Sequence, residues 1–217
     1  MNKQNSAKLA ISLLILTLTL PILLQTVNAA LTLKNVKPWS SWAGLTTVTS
    51  VAKGDVDKDG KTEIVTSGYY GDNTAGFYAQ LCVWDGATLA LKNVRNWYWN
   101  WYTYINSVAI GDVDGDGNNE IVTGGYVNSD VAQLCVWDGA TLALKNVKTW
   151  RWASNTIINS VAVGDIDGDG KTEIVTGGYY GEVNQYVAQL CVWNGATQAL
   201  ESVRTWYWTS HTSIGTH

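Results

Sequence analysis

The sequence predicts an all-β molecule made of β-propeller-type blades, four strands to each. Three observations carry that expectation. A unit of fifty-odd residues recurs three times, with Asp55, Asp112 and Asp165 at equivalent places, 57 and 53 residues apart. Each unit holds four short stretches rich in Val, Ile and aromatic side chains, divided by Gly- and Asp-containing turns. From residue 31 onward helical periodicity is missing, and Pro38 is the only proline there. Four strands per repeat is the make-up of a propeller blade.

Residues 1–29 read as a signal peptide. Lys3 and Lys8 form a positive start, Leu9 to Leu24 is an apolar run interrupted only by Ser, Thr and Pro21, and small residues around Ala29 suit cleavage after it. The run also approaches the ~20 residues of a membrane span, so an uncleaved N-terminal anchor is the competing reading. Either one exports the rest of the chain, making it secreted or cell-surface. Membrane contact is expected only if this segment stays uncleaved. Cleavage after Ala29 leaves 188 residues and takes the formal net charge from −4 to −6. That length supports one sizeable core or one repeat array.

The units are expected at 46–101, 102–152 and 153–208. In the middle one, Ser107–Ile110 is the first strand and Glu120–Thr123 the second, with Gly124, Gly125 and Tyr126 after it. Ala132–Trp137 is the third strand, Asp138-Gly139 a turn, and Leu142–Val147 the fourth strand. Residues 31–42 repeat the fourth-strand pattern once more, ahead of any acidic loop, and so form a strand with no blade of its own. Residues 209–217 look like the start of a further unit cut short. Three blades are fewer than the usual four to eight of a closed ring. The chain then reads as the product of a longer array, or as an open propeller completed by self-association.

Between first and second strands each unit carries Asp-x-Asp-x-Asp-Gly-x-x-Glu. Four carboxylates in nine residues repel one another unless a hard cation sits among them. Their odd spacing, with glycine at position six for a sharp turn, suits oxygen ligands converging on Ca²⁺. An EF-hand is excluded: position twelve is Thr66, Thr123 or Thr176 rather than a bidentate Glu, and strands flank the loop.

The run Gly-Asp-Val/Ile-Asp-x-Asp-Gly-x-x-Glu-Ile-Val-Thr between strands resembles the FG-GAP and VCBS type repeats. Those repeats build the calcium-bearing propellers of integrin α-chain heads, some fungal lectins and many secreted microbial surface proteins. The resemblance covers nearly all of 46–208. It implies three structural Ca²⁺ sites, with ligands at positions one, three, five and nine and the carbonyl of position seven. Those are Asp55, Asp57, Asp59, Lys61 (backbone) and Glu63; Asp112, Asp114, Asp116, Asn118 (backbone) and Glu120; and Asp165, Asp167, Asp169, Lys171 (backbone) and Glu173. Two departures stand out. The Phe-Gly and Gly-Ala-Pro sequences of the family are missing, and position nine is Glu rather than the commoner Asp.

The acidity sits in these loops and no basic patch exists, which argues against a nucleic-acid partner. Cys82, Cys135 and Cys191 share one Leu-Cys-Val-Trp context, so they read as buried apolar residues rather than a disulfide framework. Of the 12 tryptophans, Trp84, Trp137 and Trp193 read as blade-to-blade packing. The clusters around Trp97–Trp101, Trp150–Trp152 and Trp206–Trp208 leave two readings, core aromatics or a rim that stacks on a glycan or protein ligand. The Gly71–Gly76 and Gly181–Gln185 stretches differ between units, as binding loops do. His211 and His217 are the only histidines. With no Ser-His-Asp or Cys-His set, an enzyme is not expected. The function implied is a calcium-binding surface or secreted adhesion module, the alternative being a lectin-like propeller or a non-catalytic propeller piece of a polysaccharide-degrading enzyme.

Overall fold

The computed structural model describes residues 45–99, 102–128, 130–182 and 185–207. The chain divides into two units, 1–36 and 37–217, and these residues all fall in the second. The expected leader at 1–29, the strand at 31–42, Trp101, Trp208, both histidines and the unit start at 209–217 lie outside them.

The described residues form twelve strands in three antiparallel sheets of four. The first sheet contains β1 (Leu45–Gly54), β2 (Glu63–Asp72), β3 (Gly76–Asp85) and β4 (Leu91–Trp97). The second contains β5 (Thr103–Gly111), β6 (Glu120–Val127), β7 (Val131–Asp138) and β8 (Leu144–Trp150). The third contains β9 (Ser154–Gly164), β10 (Glu173–Glu182), β11 (Gln185–Asn194) and β12 (Leu200–Trp206). Strand order within every sheet follows the chain, so each is a meander. No helix among the described residues is long and apolar enough to cross a membrane. The all-β, propeller-like architecture of open blades is present, and none of the sheets closes into a barrel.

Each blade has one face that packs on the next. Val56, Val65, Ala79, Leu81 and Trp97 of the first sheet meet Ile105, Val108, Ile121 and Trp137 of the second. Val113, Val122, Leu134 and Val136 of the second meet Ile158, Val161, Ile174 and Trp193 of the third. Alternation along the strands supplies both faces, because the inner strands are apolar on each side. The leading strand of each blade carries a one-residue bulge, at Thr49, Asn106 and Asn159. The bulge re-aims its side chain. Thr49 Oγ1 donates to the Ile105 carbonyl at 2.6 Å and Asn106 Nδ2 to that of Ile158 at 2.7 Å, in the next blade.

The tryptophans settle into two roles. Indole Nε1 of Trp84, Trp137 and Trp193 donates to Thr66, Thr123 and Thr176, at 2.9, 3.0 and 3.0 Å. Those threonines are the position-twelve residues of the acidic motif, so they serve the core. Trp97 and Trp150, at the ends of β4 and β8, pack on Trp137 and Trp193 of the following blade with ring centroids 4.5 and 4.7 Å apart. The strand stops at Trp97, and both Tyr98 and Trp99 are exposed. The cysteines are buried free thiols, as expected; burial pushes Cys82 and Cys191 up to about 11 and Cys135 up to about 12.

Among the described residues, two faces are exposed where their counterparts in other blades are buried. Ile166 and Trp206 of the third sheet are 54% and 44% exposed, where Val56, Val113 and Trp97 are buried. On the first sheet Val48 and Val51 are exposed, although Ile105 and Val108, at the same positions of the second, are buried.

Candidate metal centres

The β1–β2, β5–β6 and β9–β10 loops place the acidic motifs at the same end of successive blades. Each loop coils tightly around its own carboxylates. The first aspartate accepts the position-six amide, Gly60 to Asp55 at 2.9 Å, Gly117 to Asp112 at 2.8 Å and Gly170 to Asp165 at 3.0 Å. That turn needs φ values of 81, 82 and 84° at the glycine, open to Gly and costly to other residues. Position four is also left-handed, at Lys58, Gly115 and Gly168.

Position nine opens the second strand, which fixes its depth. Glu63, Glu120 and Glu173 are 0, 1 and 3% exposed. One oxygen of each accepts the position-two amide: Val56 at 3.1 Å, Val113 at 3.0 Å and Ile166 at 3.0 Å. A carboxylate buried this deeply needs a further partner for its second oxygen, a donor or a cation.

The structure brings together most, not all, of the expected ligand set. In the first loop, oxygens of Asp55, Asp57, Asp59 and Glu63 lie within 4.8 Å of one another. In the second the group is Asp112, Asp114 and Glu120, and in the third Asp165, Asp167 and Glu173. Asp116 and Asp169 stand outside these groups. Each instead accepts the position-seven amide, from Asn118 and Lys171, both at 2.8 Å, and Asp59 accepts that of Lys61 at 2.8 Å. Those amides hold Asp59 and Asp116 below the usual carboxylate range. For Asp169 the Lys171 ammonium comes first and its amide second. The position-seven residues thus meet position five through both backbone and side chain: Lys61 Nζ lies 3.4 Å from Asp59 and Lys171 Nζ 2.9 Å from Asp169, and Asn118 Nδ2 donates to Asp116 at 3.0 Å.

A divalent cation suits this donor set. All donors are carboxylate oxygens, the choice of a hard ion. In the first loop Asp55 Oδ1 and Asp57 Oδ1 are buried with no hydrogen-bond partner. Buried acceptors without donors are costly, and an ion among them removes the cost.

Two lysines take part that the acidic motif alone did not reveal. Lys92 sits at a bulge where β4 gains a residue against β3, between the Trp84–Leu91 and Val83–Asn93 pairs. From there its Nζ reaches Asp57 at 2.6 Å, Glu63 at 2.9 Å and Asp59 at 3.5 Å. Lys145 is the bulged residue of β8 and does the same, 2.6 Å from Asp114 and 2.8 Å from Glu120. Hydrogen bonds to Asp57 and Glu63 raise the Lys92 ammonium above its ordinary range. Burial opposes the charge of Lys145, but Asp114 and Glu120 overcome it and the net shift is also upward. The repeated Leu-Lys-Asn-Val was the available clue, since a lysine recurring in register with an acidic loop is a pairing signal.

Neighbouring centres are linked. Asn119 Nδ2 donates to the Asp55 carbonyl at 2.7 Å. A Cβ on Gly139 would meet the Val56 carbonyl at 2.5 Å, and one on Gly195 that of Val113 at 2.4 Å. The first and second loops therefore rest on the β3–β4-type turn of the next blade. Against known families, residues 112–176 match a family model described as an FG-GAP-like repeat. The matched stretch begins at the second acidic loop and runs through the third, so the chain carries an FG-GAP-type repeat. A search of curated proteins finds no match.

Proposed function

Starting from the FG-GAP-like repeat at residues 112–176, we propose that the chain is an exported, non-catalytic binding or adhesion module whose blades are held by structural Ca²⁺. One observation supports this reading most: each acidic loop gathers carboxylate oxygens within 4.8 Å around a buried glutamate. The residues that would hold the ion are Asp55, Asp57, Asp59 and Glu63, then Asp112, Asp114 and Glu120, then Asp165, Asp167 and Glu173. Asp116, Asp169 and the carbonyls of Lys61, Asn118 and Lys171 would complete the sets. Bound Ca²⁺ cancels carboxylate repulsion; the residues themselves fix where the first and second strands of each blade meet. Export and a cell-surface or secreted location rest on the leader-like N-terminus.

Calcium that binds only the folded chain stabilises it by RT ln(1 + [L]/Kd). With the ~10⁻⁴–10⁻³ M affinities of extracellular modules, each site contributes about 1 kcal/mol at millimolar calcium. Chelation is therefore expected to lower the melting temperature reversibly. An unchanged melting temperature in excess EDTA, with no heat on calcium titration, would remove the structural-calcium reading.

The ligand surface is proposed at the opposite end, where the β2–β3-type turns and blade connections lie. Aromatic rings collect there: Tyr98 stacks on Tyr78 at 4.5 Å, and Tyr78 on Tyr70 at 5.3 Å. Tyr98, Trp99, Trp152 and Tyr207 are exposed. Exposed flat rings favour the second reading, a lectin-like surface, since sugars stack on such faces. A glycan array separates glycan from protein ligands, and turnover of a bound polysaccharide would overturn the non-catalytic assignment.

A further inference from the structure

The three loops share one motif but differ in what their fourth strand delivers. Lys92 and Lys145 place an ammonium within 3 Å of two carboxylates each. The third blade has Glu201 at the corresponding bulge, between the Trp193–Leu200 and Val192–Ser202 pairs. A second change accompanies it. Asp85 and Asp138 close the sister turns, whereas Asn194 closes this one and donates from Nδ2 to Glu201 Oε1 at 3.0 Å. Among the described residues, no lysine or arginine comes within ion-pair distance of Glu173, 3% exposed and hydrogen-bonded only through Ile166 N–H. The third centre thus gathers carboxylates around a buried, unbalanced one and adds a fifth carboxylate nearby.

We propose that Lys92 and Lys145 are resident cations that compete with the metal at the first two loops, leaving the Asp165–Glu173 loop of the third blade as the tight, obligatory divalent-cation site. The inference rests on the structural-calcium reading and ranks its three sites. Two separate observations support it. Cationic nitrogen already occupies the carboxylate cluster in two sister loops, which identifies the cluster as a cation pocket. In the third loop Lys171 pairs with the outer Asp169 at 2.9 Å, but among the described residues the buried Glu173 has no lysine or arginine within ion-pair distance. A point ammonium and a divalent ion cannot share the same oxygens, so metal entry at the first two loops requires the lysine to leave.

Calcium titration calorimetry on the purified chain tests this. One equivalent is expected to bind about tenfold or more tightly than the other two, the scale of one charge a few ångströms from the ion. Asp167→Asn should abolish the tight equivalent while Asp57→Asn leaves it. Lys145→Met should create a second tight equivalent, and in chelator it should lower the melting temperature because Glu120 loses its only cation. Glu201→Lys should weaken the tight equivalent by about tenfold or more and raise the chelated melting temperature. Should Glu201→Lys fail to fold, the Lys145→Met result alone decides. Three equivalents of equal affinity, or a Lys145→Met protein with unchanged binding, would overturn the ranking while leaving structural calcium intact. No binding at any loop would instead defeat the reading beneath it.

Discussion

Asp85 and Asp138 show how one atom sets a turn. Asp85 Oδ1 accepts the Thr88 amide and hydroxyl, both at 2.7 Å, and Asp138 does the same for Thr141 at 2.8 and 2.6 Å. Thr88 and Thr141 hydroxyls, then their amides, hold the two carboxyls below the usual range. Because the folded carboxyl gives up its proton more readily than the unfolded one, its stabilisation is complete above the ordinary Asp pKa of ~3.9. It disappears as pH falls through the depressed folded value. Asn194 fills the same role in the third blade with an amide oxygen, accepting Thr197 at 3.0 and 2.9 Å, and so has no proton to gain. Replacing Asp85 and Asp138 by Asn should therefore make the protein gain stability relative to the parent as pH drops below ~4. Urea unfolding at stepwise pH checks this, and a pH-independent difference would contradict it. The carboxylates of the metal centres were legible in sequence because they cluster within nine residues. Lys92 was not, since a bulge two strands away in the sheet delivers it, and only pairing register reveals that. Nor did the sequence show that Asp116 and Asp169 would turn toward position-seven amides.

Strands were legible where Val, Ile and aromatics alternate, and less so at their ends. The fourth strand was expected from Leu142, yet β8 begins at Leu144. Leu142 instead closes the turn, with φ of 57° and its amide donating to the Asp138 carbonyl at 2.9 Å. Its side chain is buried, so its apolar character was real but reported packing rather than extension. The bulges had no periodic signal of their own, because one extra residue only shifts the alternation. They nevertheless dictate the glycines opposite. A Cβ on Gly68, Gly125 or Gly178 would sit 1.8, 1.9 or 1.9 Å from the carbonyl of Thr47, Tyr104 or Ile157 in the leading strand. Backbone cannot retreat as a side chain does. Gly125→Ala should thus cost about 1–3 kcal/mol or more by overpacking. Gly177→Ala, one residue before Gly178, meets no atom within 4 Å, and should stay within about 0.5 kcal/mol. Paired denaturation curves would decide, and equal effects at both glycines would show that the leading strand yields.

Blade stacking follows one rule used twice, and among the described residues the rule leaves two surfaces unmatched. Trp97 and Trp150 each pack against the next blade's tryptophan, Trp97 buried and Trp150 half-buried, and Trp97 Nε1 also donates to Gln133 Oε1 at 3.2 Å. Trp206 stands at the same place on the third blade and is exposed, as are Ile166 and Leu190. At the other end Val48 and Val51 occupy positions that in the second blade bury against the first. The two surfaces are the halves of an interface that the chain already forms internally, which motivates the proposal that copies associate head to tail through them. Such heterologous contacts grow into rings or open chains depending on closure. The contrast between matched tryptophans supplies the test. Trp97→Ala removes a buried indole and should cost about 3–5 kcal/mol, whereas Trp206→Ala in a lone chain should change stability by no more than about 0.5 kcal/mol. If copies associate, Trp206→Ala and Ile166→Asp should both shift sedimentation equilibrium toward the monomer, while Tyr98→Ala at the aromatic end should not. A parent chain that stays monomeric at every concentration, with Trp206→Ala as destabilising as Trp97→Ala, would show that another segment of the same chain covers this face, and association would be excluded.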